Sequence, residues 1–287
     1  MSDLYGITKD PETKEFIMIV QFADEGNLRS ILSTNFNNIL WKDKIIYLYH
    51  LTADLKTLHS LRYCHKDLHS GNILQDAIIY LSDFGLSKPA DEQKSNDKVY
   101  GVLPYIAPEV LNGEPYIKAS NIYSFGILIT EISSGKPPFY DKKHDFNLSL
   151  AICNGIHLEF EKGIPEFYKK LAYRCMNANS NMRPMIEELN DILSFWWDSN
   201  DGSYQNDKKY GYYGKEIKEA FEEADKEIPN ISTSYKKDPD AIYTSRAFKF
   251  NNLPKPVNSS LITSYILEEK ETNQGNYIFI NSIYYFI

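Results

Sequence analysis

The stretch from about Asn121 to Ser133 reads as a helix that is apolar on nearly every side, with Ile122, Phe125, Ile127, Leu128, Ile129 and Ile132 spread around its circumference. Such a helix cannot lie on a surface; it has to be central and wrapped by other elements. Gly135-Lys136-Pro137-Pro138 stops it. The remainder of the chain must therefore supply a shell, and 287 residues suffice for one large core or two small ones.

From about Lys42 to Leu61, Ile45, Leu48, Leu51, Leu55 and Leu58 follow the helical period. Further helices are expected at Asn147–Asn154, Glu166–Asn177 and Pro184–Trp196. Phe16–Val20 reads as a buried strand behind a turn at Asp10-Pro11, with Leu4–Ile7 as its hairpin partner. Ile73-Leu74 and Ile78–Leu81 look like two short strands. A strand hairpin followed by many helices is an α+β pattern.

Charge and cysteines exclude several function classes. Thirty-one Lys and Arg against thirty-nine Asp and Glu leave a net charge of -8, with no block of five like charges, so nothing draws the chain to a nucleic-acid backbone. Cys64, Cys153 and Cys175 are odd in number and lack metal-ligand spacing, which argues against a disulfide framework or a zinc ribbon. No apolar run approaches the length of a membrane span, and Met1-Ser2-Asp3-Leu4 opens no secretory signal. The expected location is cytoplasmic or nuclear.

The chemistry concentrates in three blocks. His65-Lys66-Asp67-Leu68-His69-Ser70-Gly71-Asn72 follows the long helix, and Asp83-Phe84-Gly85 follows the strand pair. Gly101-Val102-Leu103-Pro104-Tyr105-Ile106-Ala107-Pro108-Glu109 comes next. Each block alone could be a capped turn; in this order and spacing they are specific. The segment resembles the catalytic half of a eukaryotic protein kinase of the tyrosine-kinase-like or serine/threonine type, and the match continues through Ser124-Phe125-Gly126, Gly135–Phe139 and Arg183-Pro184, over about residues 1–197.

That resemblance implies transfer of the ATP γ-phosphate to a protein hydroxyl, with ATP and Mg²⁺ as cofactors. Asp67 falls where the family has the carboxylate that orients the hydroxyl and accepts its proton. Asn72 and Asp83 fall at the positions of the Mg²⁺ ligands, and a hard ion wants such oxygen donors. By the same match Val20, Gln21, Phe22 and Ala23 are the gatekeeper and hinge that hold adenine, and Leu74 is the floor beneath it. His69 stands where serine/threonine kinases carry a phosphate-contacting lysine; it is either a pH-sensitive catalytic contact or a solvent-exposed loop histidine. His65 and Phe84 match packing positions, and Glu109 and Arg183 match a buried ion pair. Ser87, Ser95 and Tyr100 are candidate phosphorylation sites.

The same match carries departures. The chain is expected to open at the family's fourth strand, with the glycine-rich loop, the strand lysine and the helix glutamate belonging upstream and absent from this sequence. Two strands alone are expected to make no stable sheet. Val102 replaces a threonine, Asn121 replaces an aspartate that accepts from catalytic-loop amides, and the spacing from Asn72 to Asp83 requires a tight hairpin. The rival expectation is therefore a pseudokinase-like, non-catalytic binding module, or an incomplete gene product.

The organisation expected is an N-lobe remnant and hinge over 1–23, a helical C-lobe over 24–197, and a low-complexity, largely disordered tail over 198–287. Within the tail, Ile217, Ala220, Phe221, Ala224 and Ile228 share one face of an amphipathic helix near 214–228, expected to dock on the lobe. Asn230–Asn273 reads as disordered and Tyr277–Ile287 as an aggregation-prone strand. Partners are expected to be a protein substrate, a partner kinase or a scaffold, with no nucleic acid and no membrane span.

Overall fold

The structure, a computed structural model, describes residues 4–89 and 99–265. Leu4–Lys9 (β1) and Phe16–Val20 (β2) pair antiparallel as the expected hairpin, and in the connecting turn Asp10 Oδ1 accepts from the amides of Glu12 and Thr13. All five β2 residues are exposed, which corrects the expectation of a buried strand. The pair has no third strand among the described residues, and an isolated pair buries neither face.

After a turn at Ala23–Gly26, Asn27 caps Leu28–Asn35 (α1) by accepting from Ser30 N at 3.0 Å. Trp41–Ser60 (α2) buries Ile45, Leu48, Leu51 and Leu55 completely. Short strands follow at Tyr63–Cys64 (β3), Ile73–Gln75 (β4), Ile79–Leu81 (β5), Lys88–Pro89 (β6) and Val99–Gly101 (β7). β3 pairs with β6 and β4 with β5, both antiparallel. Ile73 faces Leu81 and Gln75 faces Ile79, so only residues 76–78 form the turn, the tight hairpin that the spacing required.

Pro108–Leu111 (α3) precedes Lys118–Ser134 (α4), the apolar helix, in which every residue from Ser120 to Ser133 is buried. Phe146–Cys153 (α5), Glu166–Cys175 (α6) and Ile186–Asp201 (α7) surround it. α6 approaches so closely that a Cβ on Gly126 would lie 2.8 Å from Cys175 Cβ. Gly135 ends α4 at φ +69°, with the Phe36 ring 2.6 Å from where a Cβ would stand, so only glycine fits both the turn and the contact. α7 continues past Trp196, through the expected boundary at Asp198, until Gly202 closes it in the left-handed conformation.

The tail is a layer of the same core. Lys208–Lys209 (β8) and Tyr212–Tyr213 (β9) form a small ribbon that leads into Gly214–Glu227 (α8). α8 docks as expected: Phe221 stacks on Trp41 at 5.3 Å, and Asp225 Oδ1 accepts from Trp41 N at 2.7 Å. The expectation of disorder is corrected for residues 230–265. Ile231, Ala241, Tyr243 and Ile262 are buried in the common core. Backbone bonds tie this stretch to the lobe, from Asp238 N to Tyr140 O at 2.8 Å and from Val257 N to Cys153 O at 3.0 Å, and Arg246–Phe248 (β10) pairs with β7. Ile231, Ala241 and Tyr243 are single anchors on irregular chain, and Ile262 stands on a helix of only six described residues, 260–265, so no period shows, which is why composition alone suggested disorder. Ser95, the stretch 266–273 and Tyr277–Ile287 lie outside the described residues. No described helix is long and apolar enough to cross a membrane. A helix-rich α+β body with few strands on its N-terminal side is the layout that the resemblance implies.

Candidate active site

Residues 65–72 leave β3 as a loop fixed from below by α4. Asn121 Oδ1 accepts from His65 N at 3.0 Å, and His59 Nε2 lies 3.3 Å from the same oxygen. A neutral amide thus holds the loop amide without the extra strength of a charge. His65 Nδ1 accepts from Asp67 N at 3.3 Å, which leaves Nε2 to donate to Ser82 O at 3.0 Å. Its ring meets Phe84 edge-on at 5.2 Å, so the pair packs.

Lys66, left-handed at φ +70°, sets the direction in which Asp67 leaves the chain. Asp67 is only 5% exposed. Its Oδ2 accepts from Asn72 Nδ2 at 3.2 Å and from the Ser245 hydroxyl. Oδ1 faces His69 Nε2 at 3.5 Å and has no hydrogen bond. Burial raises the Asp67 pKa, but the His69 ring and the Ser245 hydroxyl outweigh it, and the net shift is downward. The lowered pKa favours the anionic carboxylate.

His69 is buried, which corrects the alternative of a solvent-exposed loop histidine. Its Nδ1 accepts from Gly71 N at 3.0 Å and lies 3.4 Å from an Arg29 nitrogen. A guanidinium can only donate, so the ring hydrogen belongs on Nε2, facing Asp67. Beneath the loop, Ser70 Oγ donates to Glu131 Oε1 at 2.7 Å, Tyr105 OH donates to Glu131 Oε2 at 2.5 Å, and Arg29 Nε donates to Ser70 Oγ at 3.1 Å. Burial pushes the Glu131 carboxyl pKa up against the pull of Arg29, Tyr105 and Ser70. Glu131 and Arg29 were not singled out from sequence; a lone glutamate in an otherwise apolar helix was the available signal, since a buried charge demands partners.

Both amide hydrogens of Asn72 go to Asp67, at 3.0 Å to its carbonyl and 3.2 Å to Oδ2, which turns Asn72 Oδ1 away from them. Ser82 donates to Asn72 O through its amide at 2.9 Å and its hydroxyl at 2.8 Å. Asp83 follows directly, exposed and left-handed at φ +56°, with Oδ1 accepting from Gly85 N at 3.3 Å. The end of the β4–β5 ladder thus brings Asn72 and Asp83 together. An amide oxygen and a carboxylate form an oxygen-only donor set that suits Mg²⁺. Among the described residues no cluster of three His, Cys, Asp or Glu offers a rival metal site.

The residues expected to form the hinge, Val20–Ala23, lead into the turn before α1, which packs beside β4. Gly26 O accepts from Gln75 N at 3.0 Å and Asn27 bridges to Leu74, so half-buried Leu74 lies beside the Ala23–Gly26 turn. Ala23 is buried, and Gln21 Nε2 donates to Asp76 Oδ2. Val20 and Phe22 face outward, 49% and 80% exposed. Arg183 meets Glu109 through two guanidinium nitrogens, at 2.7 and 2.6 Å, with the Arg183 side chain wholly buried.

A model of the protein tyrosine and serine/threonine kinase family matches residues 1–193. Among curated proteins, a probable serine/threonine-protein kinase of Dictyostelium discoideum is 27% identical over 177 residues, covering 61% of this chain and 11% of that protein. A probable LIM domain-containing serine/threonine-protein kinase of the same organism is 27% identical over 192 residues, covering 66% and 29%. Mitogen-activated protein kinase kinase kinase 12 of Rattus norvegicus is 25% identical over 176 residues, covering 61% and 20%. The chain thus spans between 11% and 29% of the length of these relatives.

Proposed function

The chain belongs to the protein tyrosine and serine/threonine kinase family, and from that membership we propose that it transfers the γ-phosphate of magnesium-bound ATP to a serine or threonine hydroxyl of a protein. One observation carries the reading: buried Asp67, with a serine hydroxyl on Oδ2, is bonded by the Asn72 amide, and Asn72 shares the ladder end with Asp83. Asn72 and Asp83 would hold the magnesium ion, which when bound supplies positive charge against the phosphates.

The remaining work belongs to the chain's own residues. Asp67 Oδ2 orients the acceptor hydroxyl and receives its proton. The Nε2–H of His69 faces Oδ1 and keeps the carboxylate in place. Asn72 Nδ2 bonds Asp67, so the proposed metal ligand and the proposed base are positioned by one side chain. Glu131, Ser70 and Arg29 fix the loop to α4, and positioning of this kind is most of what phosphoryl transfer asks of a protein. Adenine is assigned to the Gln21–Ala23 backbone with Leu74 below it. Serine or threonine as acceptor is supported by the names that the relatives carry.

Titration of ATP with and without Mg²⁺ tests the ligand half of the reading. Binding is expected to need the metal and to weaken by about tenfold or more in Asp83→Asn, because a charged ligand is replaced by a neutral one. Equal affinity with and without Mg²⁺ would contradict the assignment.

A further inference from the structure

Past the family match, which ends at residue 193, the chain returns to the site as an extended strap. Asp240 O accepts from His144 N at 3.1 Å, and His144 Nδ1 lies 2.9 Å from Ile242 O. Tyr243 is then buried: its hydroxyl donates to Pro138 O at 2.8 Å, its carbonyl accepts from Arg29 at 3.0 Å, and the Arg29 guanidinium lies over its ring at 4.8 Å. Two residues on, the Ser245 hydroxyl donates to Asp67 Oδ2. Directly after it β10 pairs antiparallel with β7, with Arg246 opposite Gly101, Ala247 opposite Tyr100 and Phe248 opposite Val99. Arg246 adds a bond to His144 O at 2.5 Å.

An aromatic anchor before, a strand ladder after and a hydroxyl aimed at the carboxylate between them are the three fixtures that a peptide acceptor needs. Strand addition supplies register, and an orienting carboxylate supplies the line of approach. Ser245 is itself an exposed residue, with its hydroxyl turned in to Asp67. We infer that Tyr243–Phe248 is the chain's own substrate strand and that Ser245 is phosphorylated in place. This rests on the phosphoryl transfer proposed above. A bond forms from Ser245 Oγ to the γ-phosphorus of magnesium-bound ATP while the bond from that phosphorus to the β–γ bridging oxygen breaks. ADP leaves with that oxygen and its electron pair, and the hydroxyl proton passes to Asp67 Oδ2.

The product cannot stay where the substrate sat. Phosphoserine has no hydroxyl proton to offer Asp67 and, once Asp67 has passed its proton to solvent, sets a charge of about -1.5 to -2 against an anionic carboxylate. Arg29 is already committed to Ser70 and Tyr243, and Arg246 to His144. Phosphorylation therefore releases the strap from Asp67. The strap also describes the outside substrate that could replace it: an extended segment with an aromatic residue two places before the serine and an arginine directly after it.

The test uses the full chain. After incubation with Mg-ATP, peptide mapping by mass spectrometry should find phosphate on Ser245, lost in Asp67→Asn and Ser245→Ala and retained as phosphothreonine in Ser245→Thr. A transfer within one molecule should proceed at a rate independent of protein concentration over about a hundredfold dilution. A second reading needs no nucleotide: hydrogen exchange at the Tyr100, Gly101, Ala247 and Phe248 amides should quicken by about tenfold in Ser245→Glu and stay at the wild-type rate in Ser245→Thr. Equal exchange in Ser245→Glu and wild type would overturn the release. A serine peptide added to the first assay separates the two claims. Phosphate on that peptide but none on Ser245 overturns this inference and leaves the proposed function standing; phosphate on neither overturns both.

Discussion

Lys44 lies wholly buried in α2, with its ammonium 4.0 Å from the centre of the Phe36 ring and 4.9 Å from that of Trp41. It has no hydrogen-bond partner among the described residues. Burial lowers its pKa to about 7, against a partial pull upward from Asp225. In the unfolded chain the same amine holds its proton to about pH 10.4. Between these values the unfolded state binds more protons than the folded one, so Lys44 makes stability rise with pH across that window and weighs fully against folding below it. Urea unfolding should show Lys44→Met more stable than wild type near pH 6, by on the order of 1–3 kcal/mol, with the gap closing as pH climbs towards about 10. Parallel profiles would contradict the buried charge. Asn121 offers a second test at this scale. Asn121→Leu leaves His65 N–H without its acceptor inside the core, at an expected cost of about 1–3 kcal/mol in the same measurement.

The elements differ in how far the sequence revealed them. α4 and α2 were legible because a dense apolar pattern has one helical solution, and α8 because Ile217, Phe221 and Ala224 repeat on a charged background. Phe221→Ala should destabilise the protein by about 3–5 kcal/mol, since the ring is buried against Trp41, Phe167 and Trp196; loss of only a few tenths would show that α8 is not part of the core. The stretch 230–265 was not legible, because its anchors stand singly on irregular chain or on the short helix at 260–265, and its partners are remote in sequence. Order and spacing of the three chemical blocks singled out Asp67, Asn72 and Asp83, which the loop and the β4–β5 ladder end bring near one another. The support beneath them, Glu131 with Arg29, Ser70 and Tyr105, joins four separate elements, and no local pattern announces it. β2 was read as buried because five apolar residues in a row suggest two covered faces, whereas the pair with β1 covers neither. The β1–β2 amides should accordingly exchange with solvent far faster than those of α4, by hydrogen-exchange mass spectrometry.

At the scale of the molecule, Glu109 and Arg183 join the segment after β7 to the start of α7, and Arg183 also donates to Ala119 O at 2.8 Å at the start of α4. Removing one partner strands the other charge, so Glu109→Gln should cost about 3–5 kcal/mol in urea unfolding; a neutral effect would show that the pair is solvated. This joint and the Glu131 network hold the loop bearing Asp67, the ladder end bearing Asp83 and the strap bearing Ser245 on one body. The central claim is that this body aligns a hydroxyl for phosphoryl transfer. The most direct measurement is the movement of label from γ-labelled Mg-ATP into a serine peptide patterned on residues 241–250, by wild type and by Asp67→Asn. The account predicts transfer by wild type that falls by about a hundredfold or more in the variant, the usual scale of a general base. Equal labelling by the two proteins, or none by wild type, would contradict it.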